Sequence, residues 1–195
     1  HLNKLDGCNK NGINLMHIFE DEWLEHKDIV LSKIAHILHI NLYDKKIRGH
    51  KCEIREISQL IAKPFFDKNH IQGYIAGSVI LGAFYDGDLV GAVIFKKENV
   101  DGYYELTRMA TKNNYLCHGV CGKLFKYFVD NYHPLYVKSF ADRRWTINSE
   151  SNLYTALGFK LDETLKPDYR YVVGNQRLHK FGFRKQKLSK KYNLP

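Results

Sequence analysis

The sequence predicts a mixed α/β fold in which a mostly antiparallel sheet is flanked by helices, with a small N-terminal strand-helix appendage. Three observations predict it. Val79, Leu81 and Ala83 lead into Tyr85, Asp86-Gly87 supplies hairpin-turn chemistry, and Leu89, Val90 and Ala92 to Phe95 return as a second strand. Leu124, Phe125, Phe128 and Val129 fall on one face of a helix opened by Gly119 and Gly122. Strand-like and helix-like segments alternate along a chain of 195 residues that is 44% hydrophobic, enough for one core with a minor attachment.

From the N-terminus, Ile13, Leu15, Met16, Ile18 and Phe19 read as a short buried strand over Gly12–Phe19. Glu20, Asp21 and Glu22 follow, and carboxylates suit a first helical turn because they face the positive end of its dipole. Trp23, Leu24, Ile29, Val30, Ile34, Ile37 and Leu38 continue that helix to about His39. Polar Tyr43–His50 reads as a boundary, giving an appendage at 1–42, a main domain at 51–188 and a basic tail at 189–195. Cys52, Ile54 and Ile57 alternate as a strand, and Ser58 caps a helix through Phe66 that Pro64 shortens or kinks. After the hairpin come a strand at Tyr103–Met109, the glycine-opened helix and a strand at Tyr136–Phe140. A short helix at Glu150–Leu157, ended by Gly158, precedes final strands near Phe159 and Tyr169–Val173.

No run approaches the roughly 20 apolar residues of a membrane span, and the first ten residues lack the core of a signal peptide, so an intracellular protein away from membranes is expected. The four cysteines are scattered and read as reduced thiols. Cys117, His118 and Cys121 offer three ligands without a second Cys/His pair, so no metal site is expected.

The formal charge of +9 is uneven. After Asp168 no acid follows, while Arg170, Arg177, Lys180, Arg184, Lys185, Lys187, Lys190 and Lys191 are interleaved with Tyr169, Tyr171, Phe181, Phe183 and Tyr192. Such a strip neutralises phosphates and offers rings to unpaired bases, which makes DNA the expected partner; a solvated tail or an acidic protein partner is the plainer alternative. Arg143, Arg144 and Trp145, next to Asp142, suggest a phosphate clamp beside a stacking ring.

The element order after Lys51 resembles the GNAT acyltransferase fold, and Asn152, Leu153, Tyr154, Leu157, Gly158, Phe159 is similar to the signature around that fold's last helix. In that family a basic or amide residue and two glycines let backbone N–H groups hold the acyl-coenzyme A diphosphate at a helix start. Leu116 to Gly122 has the glycines at imperfect spacing and lacks the basic residue, so acyl-coenzyme A is not expected. Asn69 and His70, Glu105, Leu106 and Arg108, and Ser139, Phe140, Ala141 and Asp142 resemble the phage Mom-like DNA-modifying branch. The resemblance implies catalytic roles for His70, Asp142, Glu105 and Arg108: accepting a proton, orienting a base edge, holding a phosphate. Structurally, Glu105 and Arg108 read as a sheet-surface ion pair, His70 as a loop residue and Asp142 as a cap.

His1 to Lys4, Cys8, Gly12 to Leu15 and His17 to Trp23 resemble the last third of the EDxHD homing-endonuclease domain of phages, related to very-short-patch repair endonucleases. The resemblance implies a nuclease remnant in which His1 falls at a catalytic-type histidine and Glu20 and Asp21 at the end of the nuclease strand. Mg²⁺ belongs to the complete nuclease, and a protein subunit supplying the missing segment is an implied partner. Acidic strands that complete such a site are absent, so cleavage by this chain alone is not expected. The leading expectation is a phage-type, homing-endonuclease-related DNA-binding protein in the host cytoplasm. The alternatives are a Mom-like DNA base-modifying transferase and a non-catalytic protein-interaction or virion component.

Overall fold

The computed structural model describes residues 2–146, 152–184 and 187–188. In chain order the helices and strands are α1 (Leu2–Lys10), α2 (Glu20–Glu25), α3 (Lys27–Ile37), β1 (Lys45–Arg48), β2 (Glu53–Glu56), α4 (Gln59–Asn69), β3 (Val79–Tyr85), β4 (Asp88–Lys97), β5 (Tyr103–Thr111), β6 (Tyr115–His118), α5 (Val120–Tyr132), β7 (Tyr136–Ser139), α6 (Leu153–Ala156), β8 (Arg170–Val173) and β9 (Gln176–His179). The chain forms two compact units, one of residues 26–160, the other of residues 1–25 with 161–195.

The larger unit is built on a five-stranded sheet of order β2-β3-β4-β5-β7. The first four strands pair antiparallel, and β7 joins β5 in parallel. A parallel neighbour needs a crossover, which β6 and α5 supply. β4 is central: Val90 and Ala92 to Phe95 are fully buried, which explains why they form a continuous apolar run instead of alternating. On one face of the sheet Leu124 and Phe128 of α5 pack with Leu81, Val93, Phe95 and Leu106, the Phe95 and Phe128 rings stacking at 3.6 Å. On the other face Ala62, Phe65 and Phe66 of α4 meet Ala92, Ile94 and Ala110. The hairpin turn is where the sequence predicts it, with Asp86 at φ 50° and Gly87 at φ 78°, the two left-handed residues of a tight turn that follows strand twist.

Pro64 does not shorten α4, which runs unbroken from Gln59 to Asn69. Burial of Phe65 and Phe66, worth about 2 kcal/mol or more each, offsets the roughly 3 kcal/mol that an interior proline costs. Polar Tyr43–His50 is not a linker: β1 pairs in parallel with β6 and buries Ile47 between exposed Lys46 and Arg48. The expected single helix to His39 is two, α2 and α3, parted at His26. No strand forms near Phe159; its ring instead packs 5.3 Å from that of Phe125.

In the smaller unit the strand predicted over Gly12–Phe19 is absent. Residues 13–19 are irregular between α1 and α2, without the ladder partner that a strand requires, and Ile13 is exposed. The acids do start a helix: Glu22 Oε2 accepts from the Phe19 N–H at 3.1 Å, half of a capping box. β8 and β9 form an antiparallel hairpin in this unit.

Candidate active site between β5 and β7

β5 and β7 pair only from Tyr103↔Tyr136 to Leu106↔Ser139. β7 then ends while β5 continues to Thr111, so the two strands part at Ser139, whose Oγ donates to the Leu106 carbonyl at 2.8 Å. At the same place β5 carries a bulge. Ile94 pairs with Arg108 and Phe95 with Leu106, leaving Thr107 as the extra residue, its Oγ1 donating to Ile94 O at 3.1 Å. In a regular strand, residues three apart face opposite ways; one inserted residue brings Glu105 and Arg108 to the same side. Bulges of this kind re-aim a side chain, and here that side chain is Arg108.

Arg108 is half-buried, with Nε donating to Gly73 O at 3.0 Å and a terminal nitrogen to Thr107 O at 2.7 Å. Burial lowers its pKa, while Glu105 and Tyr154 act to raise it. Tyr154 projects from α6, whose start is fixed by Asn152: its side-chain oxygen accepts from the N–H groups of Tyr154 and Thr155, and Thr155 returns the bond. Burial raises the Tyr154 phenol above its ordinary value; hydrogen bonding to Ser139 opposes this, Asp142 adds to it and Arg108 opposes it. Tyr154 is therefore a protonated phenol at neutral pH.

His70 follows α4. Asn69 secures that end, its amide donating to Phe65 O at 2.8 Å and its oxygen accepting from Asn113 N at 2.9 Å. Burial, with the charge of Arg108 second, pushes His70 down to about 4. Its Nδ1 accepts the Gln72 N–H at 3.1 Å, so the neutral ring carries its proton on Nε2. That tautomer leaves Nε2–H as the ring's donor.

Asp142 is held by Arg144: its oxygens accept from Arg144 N at 3.0 Å, Nε at 3.2 Å and a terminal nitrogen at 2.6 Å. This is the cap-like geometry of the structural alternative, and Arg144 is a partner of Asp142 as well as a clamp candidate. Arg143 is exposed, and Nε1 of Trp145 is buried without a hydrogen-bond partner among the described residues. Electrostatic influence links His70 to Arg108, Arg108 to Glu105 and Tyr154, and Tyr154 to Asp142. Thr107 carries no signal in the sequence, and Ser139 and Tyr154 stand there only as members of the family signatures; the ladder's end and the bulge are long-range pairings.

In the GNAT arrangement a diphosphate would lie at the start of α5, where a Cβ added at Gly119 or Gly122 would meet nothing within 4 Å. Gly49 is packed on this helix start so closely that a Cβ on Gly49 would stand 2.5 Å from Gly119 O and 2.9 Å from Val120 N. Lys123, the nearby ammonium, is bonded to the carbonyls of His50 and Cys52. Burial pushes the Cys117 thiol up to about 11 and the Cys121 thiol up to about 12, so both are protonated. Among the described residues no three His, Cys, Asp or Glu side chains converge as metal ligands.

In the smaller unit Asp21 and Glu22 hold Arg177. Nε of Arg177 lies 2.8 Å from Asp21 Oδ1 and its terminal nitrogen 2.8 Å from Glu22 Oε1, with the Phe19 ring 3.7 Å under the guanidinium. Glu20 opens α2, and His1 lies outside the described residues, as does Lys185. Arg177 is committed to this clamp and Lys180 to Asp168 at 2.6 Å, whereas Arg170, Arg184 and Lys187 are exposed. Among the described residues no helix is long and apolar enough to cross a membrane.

Strand order, the parallel β5–β7 pair and the crossover through α5 define a GNAT-like mixed α/β domain. No family profile and no curated protein matches the chain. Among solved structures it is similar to the ribosomal-protein-alanine N-acetyltransferase of Brucella melitensis biovar Abortus 2308, at 20% identity over 64% of this chain and 99% of that one, TM-score 0.43. It is also similar to the aminoglycoside N-acetyltransferase AAC(6')-Iy in complex with CoA, at 18% identity over 62% and 94% of the two chains, TM-score 0.43. A third is an integron cassette protein from the mobile metagenome of V. cholerae, at 10% identity over 64% and 94%, TM-score 0.42.

Proposed function

We propose that the larger unit is a GNAT-like transferase that modifies a nucleic-acid base at the opening between β5 and β7. The observation that carries this reading is the coincidence, at one point, of the end of the β5–β7 ladder with the bulge that aims Arg108. Arg108 is a cation and Tyr154 a neutral phenol, and His70 offers Nε2–H. All three stabilise negative charge as it develops on a carbonyl oxygen or a leaving group, which is what group transfer requires of its site. Asp142, held by Arg144, positions the turn after β7. A nucleic-acid substrate follows from the charge of +9 and its basic strip. Coenzyme A is not part of the proposal, because Leu116 to Gly122 has its glycines at imperfect spacing and no basic residue.

Phosphodiester cleavage is less well supported, since Asp21 and Glu22 hold Arg177. The test is to incubate DNA with purified protein and a small-molecule cell extract, digest it to nucleosides and weigh them. A mass gain that disappears with Tyr154→Phe supports the reading. Unchanged nucleosides, or a gain that survives Tyr154→Phe and Arg108→Met together, would refute it.

A further inference from the structure

We infer that the β8–β9 hairpin, with the turn after it, is a stacking platform for unpaired nucleotides of single-stranded nucleic acid. Its register pairs Arg170↔His179, Tyr171↔Leu178, Val172↔Arg177 and Val173↔Gln176, so the side chains divide between two faces. Arg177 anchors one face to Asp21 and Glu22. The other presents Tyr171, Val173 and Leu178, which are 42%, 55% and 37% exposed.

Rings continue this second face. Tyr171 stacks on Phe183 with centroids 4.3 Å apart, and Tyr169 meets Tyr171 edge-on at 5.8 Å. Lys180 Nζ is 5.2 Å from the Tyr169 ring, while Phe181, with the Arg184 guanidinium 3.9 Å over it, lies 4.6 Å from the His179 ring on the Arg177 face. Tyr169 and Phe181 are nevertheless 62% and 44% exposed. The rings are thus held by one another and by cations, leaving π surface open to solvent.

The occupant follows from charge and shape. Beyond Asp168 the sequence has cations and no acid, so the ligand is a polyanion. An acidic protein would satisfy the cations without using the flat rings. Paired bases in a duplex already have both faces covered, whereas unpaired bases stack on exposed aromatics with little regard to sequence. Binding here is separate from transfer at the β5–β7 opening, and it is measured with Tyr154→Phe as background so that a failed transfer reaction leaves it unaffected.

The experiment is fluorescence anisotropy of a labelled dT oligonucleotide of about 12 nucleotides, a length within reach of such sites. The full chain is compared with Tyr169→Leu, Tyr171→Ala and Arg184→Ala, with heparin as a polyanion lacking bases. Each ring variant should weaken dT binding roughly fivefold to a hundredfold while heparin binding stays constant. The matching duplex should bind less tightly than the single strand. Tyr169→Leu changes the most exposed ring, so it separates lost stacking from a misfolded hairpin. Equal dT affinity of wild type and Tyr169→Leu, or parallel losses for dT and heparin, would overturn the inference.

Discussion

The Nε of Arg177 lies 2.8 Å from each carboxylate oxygen of Asp21, a contact between positions 156 apart in sequence. The same guanidinium reaches Glu22 at 2.8 Å, so one side chain of the basic strip ties β9 to the start of α2.

Arg177→Ala should therefore destabilise the smaller unit by about 2 kcal/mol, because it takes this cation from half-buried Asp21 and buried Glu22. Arg170→Ala, on an exposed side chain of the same hairpin, should change stability by less than about 0.5 kcal/mol. Urea unfolding followed by hydrogen exchange in β8 and β9 distinguishes the two.

Burial raises the Asp21 pKa, but the bonds and charge of Arg177 outweigh it, and the carboxyl sits below the ordinary 3.8. A depressed carboxylate contributes stability above its unfolded pKa that is lost as pH falls through the folded value. The clamp should hold unchanged from neutral pH down to about 4 and fail below that. Acid titration of β9 amide signals, absent in Arg177→Ala, checks it.

His70 acts in a different window. Its ring is pushed from 6.5 to about 4, so between those values the unfolded chain binds the extra proton and the folded one does not. Stability of the larger unit should fall as pH drops from 7 to 5, by on the order of 1 kcal/mol once partial solvent screening is allowed for. His70→Gln should flatten that slope. Denaturant midpoints at three pH values give the comparison.

Gly49→Ala should cost about 1–3 kcal/mol, because its methyl group meets the backbone of Gly119 and Val120 at the start of α5. The imperfect glycine spacing of Leu116 to Gly122 predicts that coenzyme A leaves the thermal midpoint unchanged, since only a ligand that binds the folded state raises it. A rise with coenzyme A would show that the helix start holds its diphosphate.

Much of the fold was legible because it rests on local chemistry. The Asp86-Gly87 hairpin, the continuous run of β4 and the amphipathic face of α5 each sit within one stretch of sequence. What misled was pairing at long range. Ile47 lies among lysines and arginine, and only the parallel partner Tyr115–His118 makes Lys45–Arg48 a strand. Ile13 to Phe19 has strand composition, but among the described residues no strand pairs with it. At the site, His70, Arg108 and Asp142 could be named from sequence. The Thr107 bulge, the end of the ladder at Ser139 and the Arg144 bond to Asp142 depend on where chains meet.

The most direct measurement is the nucleoside mass profile of DNA from cells expressing the wild-type protein beside cells expressing Tyr154→Phe at equal level. The account predicts a heavier nucleoside in the first sample only, with both proteins folded. Identical profiles in the two samples would contradict a transfer centre between β5 and β7.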